Sequence, residues 1–337
     1  MSSRTLSNYG ADQSGLVYGY VFSADGVGRP INTDQAVDWL ASSHKQETEF
    51  VWLHFNGTHT ATGNWLKSHL SLPEEFTDAL TEGSSSTRIE QAHDGLLAVV
   101  NDVVYDRSQD ASIQAATLWL SVGPKHLLSV RNRPLRSVDR LRTAVSGGET
   151  FSTPLALVIH LLRDQADVLM QIMRNTGEKV DAMEDEFLVG RLPARAALGG
   201  LRRDLVRLQR LLAPEPAALF RLLNRPPEWM AGVDAQDLQQ SSEEFSVVLG
   251  DMSGLQERIK LLQEEVVAHV GERTNRSVFI LTAVTVTALP INLVAGLMGM
   301  NVGGVPFNQE PMGFWIVVAL LAAVTGFAGW RVFQRLE

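Results

Sequence analysis

The chain predicts an α/β cytosolic domain, then long α-helices forming a funnel and stalk, then two C-terminal transmembrane helices. Three observations predict it. Short apolar runs alternate with amphipathic stretches between residues 16 and 145; beyond residue 150 apolar residues recur every three or four positions; two long uncharged segments lie near the end of the 337 residues. The short runs are 16–22 (LVYGYVF), 50–55 (FVWLHF), 96–105 (LLAVVNDVVY), 116–122 (ATLWLSV) and 126–130 (HLLSV), rich in β-branched and aromatic residues as strands are. Residues 33–40 and 74–80 have helical amphipathicity. Gly123-Pro124 marks a hairpin turn, and Ser146-Gly147-Gly148 marks a boundary.

After that boundary the period becomes helical. Leu155, Val158, Leu162, Ala166, Leu169, Met173, Val180, Met183 and Phe187 keep one face, and Leu198, Leu201, Leu205, Leu208 and Leu212 resume it after Pro193. Pro214, Pro216, Pro226 and Pro227 are read as a break. The same spacing then runs from Leu238 through Phe245, Met252 and Ile259 to His269, with no breaker before the first uncharged segment. One helix over about 236–300 is therefore expected, roughly 97 Å long at 1.5 Å per residue.

Composition excludes several classes. With 38 acidic and 29 basic side chains the formal charge is −9, so the chain is no basic nucleic-acid clamp. The absence of cysteine excludes a disulfide framework, a Cys-type zinc site, an iron–sulfur cluster and a thiol nucleophile, and fits a reducing cytosol. There is no Gly-Lys dipeptide and hence no P-loop, no Gly-x-Ser-x-Gly and no His-Glu-x-x-His, so neither an ATP site nor an enzyme is expected. Residues 1–19 contain no sustained apolar run of the kind a secretory signal needs.

Residues 278–298 carry no charge over 21 positions, about 31 Å of helix against a hydrocarbon core of about 30 Å. Residues 313–330 form a second uncharged run of 18, with Trp315 and Trp330 near its ends where indoles favour the interface. Arg258, Lys260, Arg273 and Arg276 precede the first run, Arg331 and Arg335 follow the second, and 301–312 has no Lys or Arg. By the positive-inside rule both termini are cytosolic and the loop faces outward. The expected order is a cytosolic α/β domain (1–148), a helical funnel and stalk (149–277), transmembrane helix 1 (278–300), an extracytosolic loop (301–312), transmembrane helix 2 (313–330) and a cytosolic tail (331–337), with membrane lipid as a partner.

On a wheel of 100° per residue, Asn275, Thr282, Thr285, Leu289, Asn292 and Gly296 form one broad stripe on the first span. Asparagine in lipid is costly unless it meets water or a partner. A water-filled pore fits; so do interhelical hydrogen bonds between packed helices, with Gly296 and Gly299 permitting close approach. In a pore, Val278, Leu281 and Leu289 are the apolar constrictions, where dewetting can gate. Thr287 points to the other side. A mere anchor for a scaffold or sensor has no need of such a stripe.

The stripe ends in Gly299-Met300-Asn301, followed by Val302-Gly303-Gly304-Val305-Pro306. Gly-Met-Asn at the outer end of the first of two C-terminal spans resembles the CorA family of divalent-cation transporters, and the Val-Gly-Gly-Val-Pro continuation resembles its ZntB branch. The resemblance extends over the whole chain. It implies a bacterial-type inner-membrane homopentamer whose first spans line one pore, with Gly299, Met300 and Asn301 at the entrance and Asn301 forming a ring. In the magnesium branch the motif is typically followed by a loop containing Pro-Glu; here Gly303 and Gly304 follow, and Glu310 is the only acid of the loop. Five amide oxygens would hydrogen-bond the waters of a hydrated divalent cation, which suits an ion that dehydrates reluctantly, as Mg²⁺ does. No Cys or His lies in either span or the loop, so the pore lacks the donors that favour inner-sphere zinc. Zinc is ranked first on the loop resemblance alone, with magnesium, cobalt or nickel as the alternative.

Outside the membrane, Glu178, Asp181, Glu184, Asp185 and Glu186 form an acidic stretch. A solvated face is its ordinary meaning; Asp181, Glu184 and Glu186, with His269 on the stalk, are the cytosolic candidates for sensing metal. His54 and His59 follow a strand and read as core or surface histidines rather than ligands.

Overall fold

In a computed structural model of the chain, the structure describes residues 10–42, 49–92, 95–104, 113–300 and 312–333. They divide into two compact units, one up to Leu262 and one from Gln263 onward.

The first unit is built on a seven-stranded sheet of order β2-β1-β3-β7-β6-β5-β4. Its strands are β1 (Leu16–Phe22), β2 (Gly28–Ile31), β3 (Phe50–Asn56), β4 (Arg88–Ala92), β5 (Gly95–Val103), β6 (Ala115–Gly123) and β7 (His126–Arg131). All neighbouring pairs are antiparallel except β3 and β7. The expected Gly123-Pro124 hairpin closes β6 onto β7, with Gly123 opposite His126.

Strand alternation sorts side chains onto two faces. From β3, Phe50 and Trp52 enter a core with Tyr18, Tyr20, Phe22, Leu118 and Leu120. It is covered by α4 (Arg136–Ser146), α7 (Pro214–Asn224) and the first turns of α5 (Pro154–Leu188), so the sheet's core continues past the Ser146–Gly148 boundary. Val51, Leu53 and Phe55 enter the opposite core with Leu97, Val99, Leu128 and Val130, against α1 (Thr33–Ala41), α2 (Thr62–His69) and α3 (Glu74–Thr81). Helices on both faces explain why every residue of β3 is buried.

Helix α5 begins where its cap dictates. Thr153 Oγ1 accepts a hydrogen bond from the Ala156 amide at 3.0 Å and Pro154 occupies the first helical position of α5. Helix α6 spans Arg195–Leu212. Pro214 and Pro216 start α7 rather than interrupting the helical pattern, because the first turn of a helix needs no amide donors, whereas Pro226-Pro227 do follow its end. Four other elements are absent from the expected list. The short β2 and β4 are the sheet's two edge strands, α2 is only eight residues long, and α4 hides Val138, Leu141 and Val145 among arginines. The helix expected over 236–300 is α8 (Gly232–Met298), 67 residues.

Two carboxylates lie inside this unit. Asp102 accepts from the Ser137 amide and hydroxyl at 3.0 and 2.9 Å, and so takes the place of a side-chain cap at the start of α4. Glu215, wholly buried in the first turn of α7, accepts from Gln165 Nε2 at 3.1 Å, while its Oε1 has no hydrogen-bond partner among the described residues. Burial raises the Asp102 carboxyl to about 6 and pushes Glu215 well above the usual range, with the field of Asp102 adding to the shift. An acid raised by folding holds its proton longer in the native than in the unfolded chain, so its contribution is best at acid pH and falls as pH rises toward the folded value. Glu215→Gln should therefore raise the melting temperature at pH 8, by the equivalent of about 1–3 kcal/mol, with the difference from the parent narrowing toward pH 5. Calorimetry of the two proteins across that range checks this; a difference that does not change with pH would contradict it.

Candidate cation pathway

The apolar part of α8 is, among the described residues, the one helix long and apolar enough to cross a membrane. Within it Ala283, Thr287, Ile291, Val294 and Met298 are partly covered and share one face. Asn275, Val278, Leu281, Thr282, Thr285, Leu289, Asn292 and Gly296 are all exposed in the single chain, and their stripe lies about half a turn from that covered face. Thr287 thus falls on the covered side, as its wheel position predicts.

The helix also sets what this stripe offers. Thr285 Oγ1 donates to the Leu281 carbonyl at 2.8 Å, and Thr287 does the same to Ala283. With its proton used inside the helix, the Thr285 hydroxyl presents acceptor lone pairs outward, the polarity that meets water on a cation. Pro290 sits inside α8, where it lacks the amide that would bond the Val286 carbonyl.

At the end of α8 the Gly299 amide bonds Ala295 O at 3.0 Å and the Met300 amide bonds Leu297 O at 3.4 Å, tightening the last turn. A Cβ at 299 would stand 3.3 Å from the Ala295 carbonyl oxygen, so glycine is the residue that fits without displacement. Met300 is exposed. Carbonyls at a helix C-terminus carry about half a negative charge, so this end attracts cations. Asn301, Gly303, Gly304 and Glu310 lie outside the described residues. The second apolar segment is α9 (Gly313–Phe333), whose shorter apolar stretch covers Gly313–Phe327.

The metal candidates outside the apolar segments are not gathered round a common point. Asp181 and Glu184 accept from Arg258 at 2.7 and 2.6 Å, which joins α5 to α8 within the first unit. Glu186 is exposed on α5 and His269 lies further along α8. Among the described residues, no group of three or more His, Asp or Glu side chains is arranged to hold a metal ion. His54 is a core residue: its Nε2 accepts from Arg131 Nε at 2.6 Å, its Nδ1 meets Ser129 Oγ at 2.7 Å, and its ring stacks on Tyr18. Burial, with Arg131 and Arg142 nearby, lowers its pKa well below the usual value, so it stays neutral with both nitrogens occupied.

The chain thus joins an α/β domain to one long helix whose far part is an apolar segment of bilayer length, polar along one face. Residues 47–335 match the model of the CorA-like Mg²⁺ transporter protein family, and the chain belongs to that family, the CorA-type divalent-cation transporters. It is 29% identical over 332 residues to the divalent cation transporter CmaX of Pseudomonas aeruginosa, covering 97% of each chain. It is 25% identical over 311 residues to the zinc transport protein ZntB of Yersinia pseudotuberculosis, covering 92% of this chain and 93% of that one. The solved full-length CmaX structure superposes with a TM-score of 0.80 at 28% identity, over 97% of this chain and 99% of that one. The CorA magnesium transporter of Methanocaldococcus jannaschii shares the fold at a TM-score of 0.77 and 18% identity, over 95% and 98% of the two chains.

Proposed function

We propose that the chain forms a homopentamer in the inner (plasma) membrane with both termini cytosolic, in which α8 lines a central pore, α9 is the second span and Asn301 forms the entrance ring. The transported cation is zinc, with magnesium, cobalt or nickel as the second reading. The observation that carries the pore is the exposed polar stripe of α8, opposite its covered face and leading to Gly299-Met300. Zinc is supported by the Val302–Pro306 continuation and by relatives named as zinc transporters. The second reading is supported by a pathway that offers oxygen donors and no Cys or His. For a divalent ion an inside-negative potential favours entry by about 4.6 kcal/mol per 100 mV, so uptake needs no ATP site.

Topology is tested in a background that already lacks cysteine. Gly304→Cys should react with an impermeant thiol reagent added outside the cell; reaction only from the cytosolic side would refute the orientation.

Glu310 should act on capture rather than passage. In a pentamer it would place about five negative charges near the pore mouth, a field screened within about 8 Å at physiological ionic strength. Glu310→Gln is expected to slow uptake at limiting zinc and low salt and to match the parent at saturating zinc or high salt. Equal initial rates at limiting zinc and low salt would remove this role.

A further inference from the structure

A cavity of about 230 Å³ opens beside the sheet in the first unit, lined by Gly10, Val17, Arg131, Asp139 and Arg142. At roughly 30 Å³ per water in the liquid, it has room for a small molecule and some of its hydration. Its charges come from two elements. Arg131 stands at the end of β7, buried, with Nε fixed on His54. Arg142 comes from α4, with its guanidinium 5.0 Å above the ring of Tyr18. Asp139 lies one turn before Arg142 on the same helix. Among the described residues that line it, two guanidinium groups face one carboxylate, a net positive lining in a protein of charge −9.

Tyr18, whose ring lies under the Arg142 guanidinium, neighbours the cavity without lining it. Its hydroxyl is buried and, among the described residues, has no hydrogen-bond partner, although a buried phenol ordinarily donates to one. Burial holds it protonated, raising its pKa well above 10, so it remains a donor. His54, kept neutral, adds no charge. Burial also raises the Asp139 carboxyl, a shift that Arg131 and Arg142 counter.

We infer that this cavity binds a small soluble oxyanion, of phosphate or dicarboxylate size, held by the guanidinium groups of Arg131 and Arg142. The planar fork of arginine matches two oxygens of such an anion. The site lies in the cytosolic unit and its binding is independent of the transport reading.

The test is calorimetric titration of the full-length detergent-solubilised protein with inorganic phosphate and, separately, with malonate, at constant ionic strength. Saturable binding of at least one of them is expected. Arg142→Ala should weaken it about tenfold or more, the scale of one lost charge-assisted hydrogen bond. Asp139→Asn should tighten it, because it removes the opposing charge. Arg140→Ala, whose side chain pairs with Asp167 instead, should leave it unchanged. Arg142 is exposed, and a melting curve will check that its variant folds. No saturable binding by either anion, undiminished binding in Arg142→Ala, or binding that Asp139→Asn fails to tighten would overturn the inference.

Discussion

Asn301→Ala should abolish or greatly reduce divalent-cation uptake while leaving the oligomer intact. In sequence Asn301 is the next residue after the tightened end of α8, where Gly299 and Met300 close the last turn on Ala295 and Leu297. Carbonyls there already favour a cation, but they are fixed along the helix axis. The amide oxygens of an asparagine ring would reach the waters of the approaching ion. Each lost hydrogen bond to a charged species is worth about 1.5–3 kcal/mol, so losing several at once predicts a fall of orders of magnitude in initial rate. Uptake by cells producing the variant, compared at equal membrane abundance and with the oligomer checked by size-exclusion chromatography, reads the effect. Wild-type uptake would remove Asn301 from the pathway.

The second large effect is on folding. Trp52 is almost wholly buried at the centre of the sheet, with its indole nitrogen donating to Ser129 Oγ at 2.9 Å and its ring against Tyr18 and Tyr20. Trp52→Ala should cost about 3–5 kcal/mol, a large share of the roughly 5–15 kcal/mol that holds a domain folded. At about 2–4 °C per kcal/mol for a domain of this size, the melting temperature should fall by roughly 6–20 °C. Trp52→Phe, which keeps a ring in the core, should fall less. An unchanged melting curve for Trp52→Ala would mean that this core does not set the stability of the unit.

What the sequence showed follows from which signals are local. Strand β3 was readable because both its faces are apolar, and α5 and α8 because their spacing persists over many turns. Helix α4 was not, since Arg136, Arg140 and Arg142 conceal a stripe of three apolar residues, and α7 was lost because prolines that start a helix look like prolines that end one. The polar stripe and its end at Gly299 could be read because they lie on one helix. The Tyr18–His54–Arg131 group could not. It exists only because parallel pairing of β3 with β7 sets His54 opposite Ser129, 75 residues away, with Arg131 two residues beyond on the same strand. The Asp102 and Glu215 pair is likewise a product of packing, because nothing near either residue in sequence announces burial.

The role proposed for α8 is to line a pathway for a divalent cation. Purified protein in liposomes loaded with a zinc-sensitive dye, with zinc added outside and an inside-negative potential imposed, tests it most directly; magnesium with its own dye runs in parallel. The expected result is zinc entry that grows as the potential becomes more negative and that is lost in Asn301→Ala. Zinc and magnesium signals no greater than those of protein-free liposomes, from protein shown to be inserted and oligomeric, would contradict it.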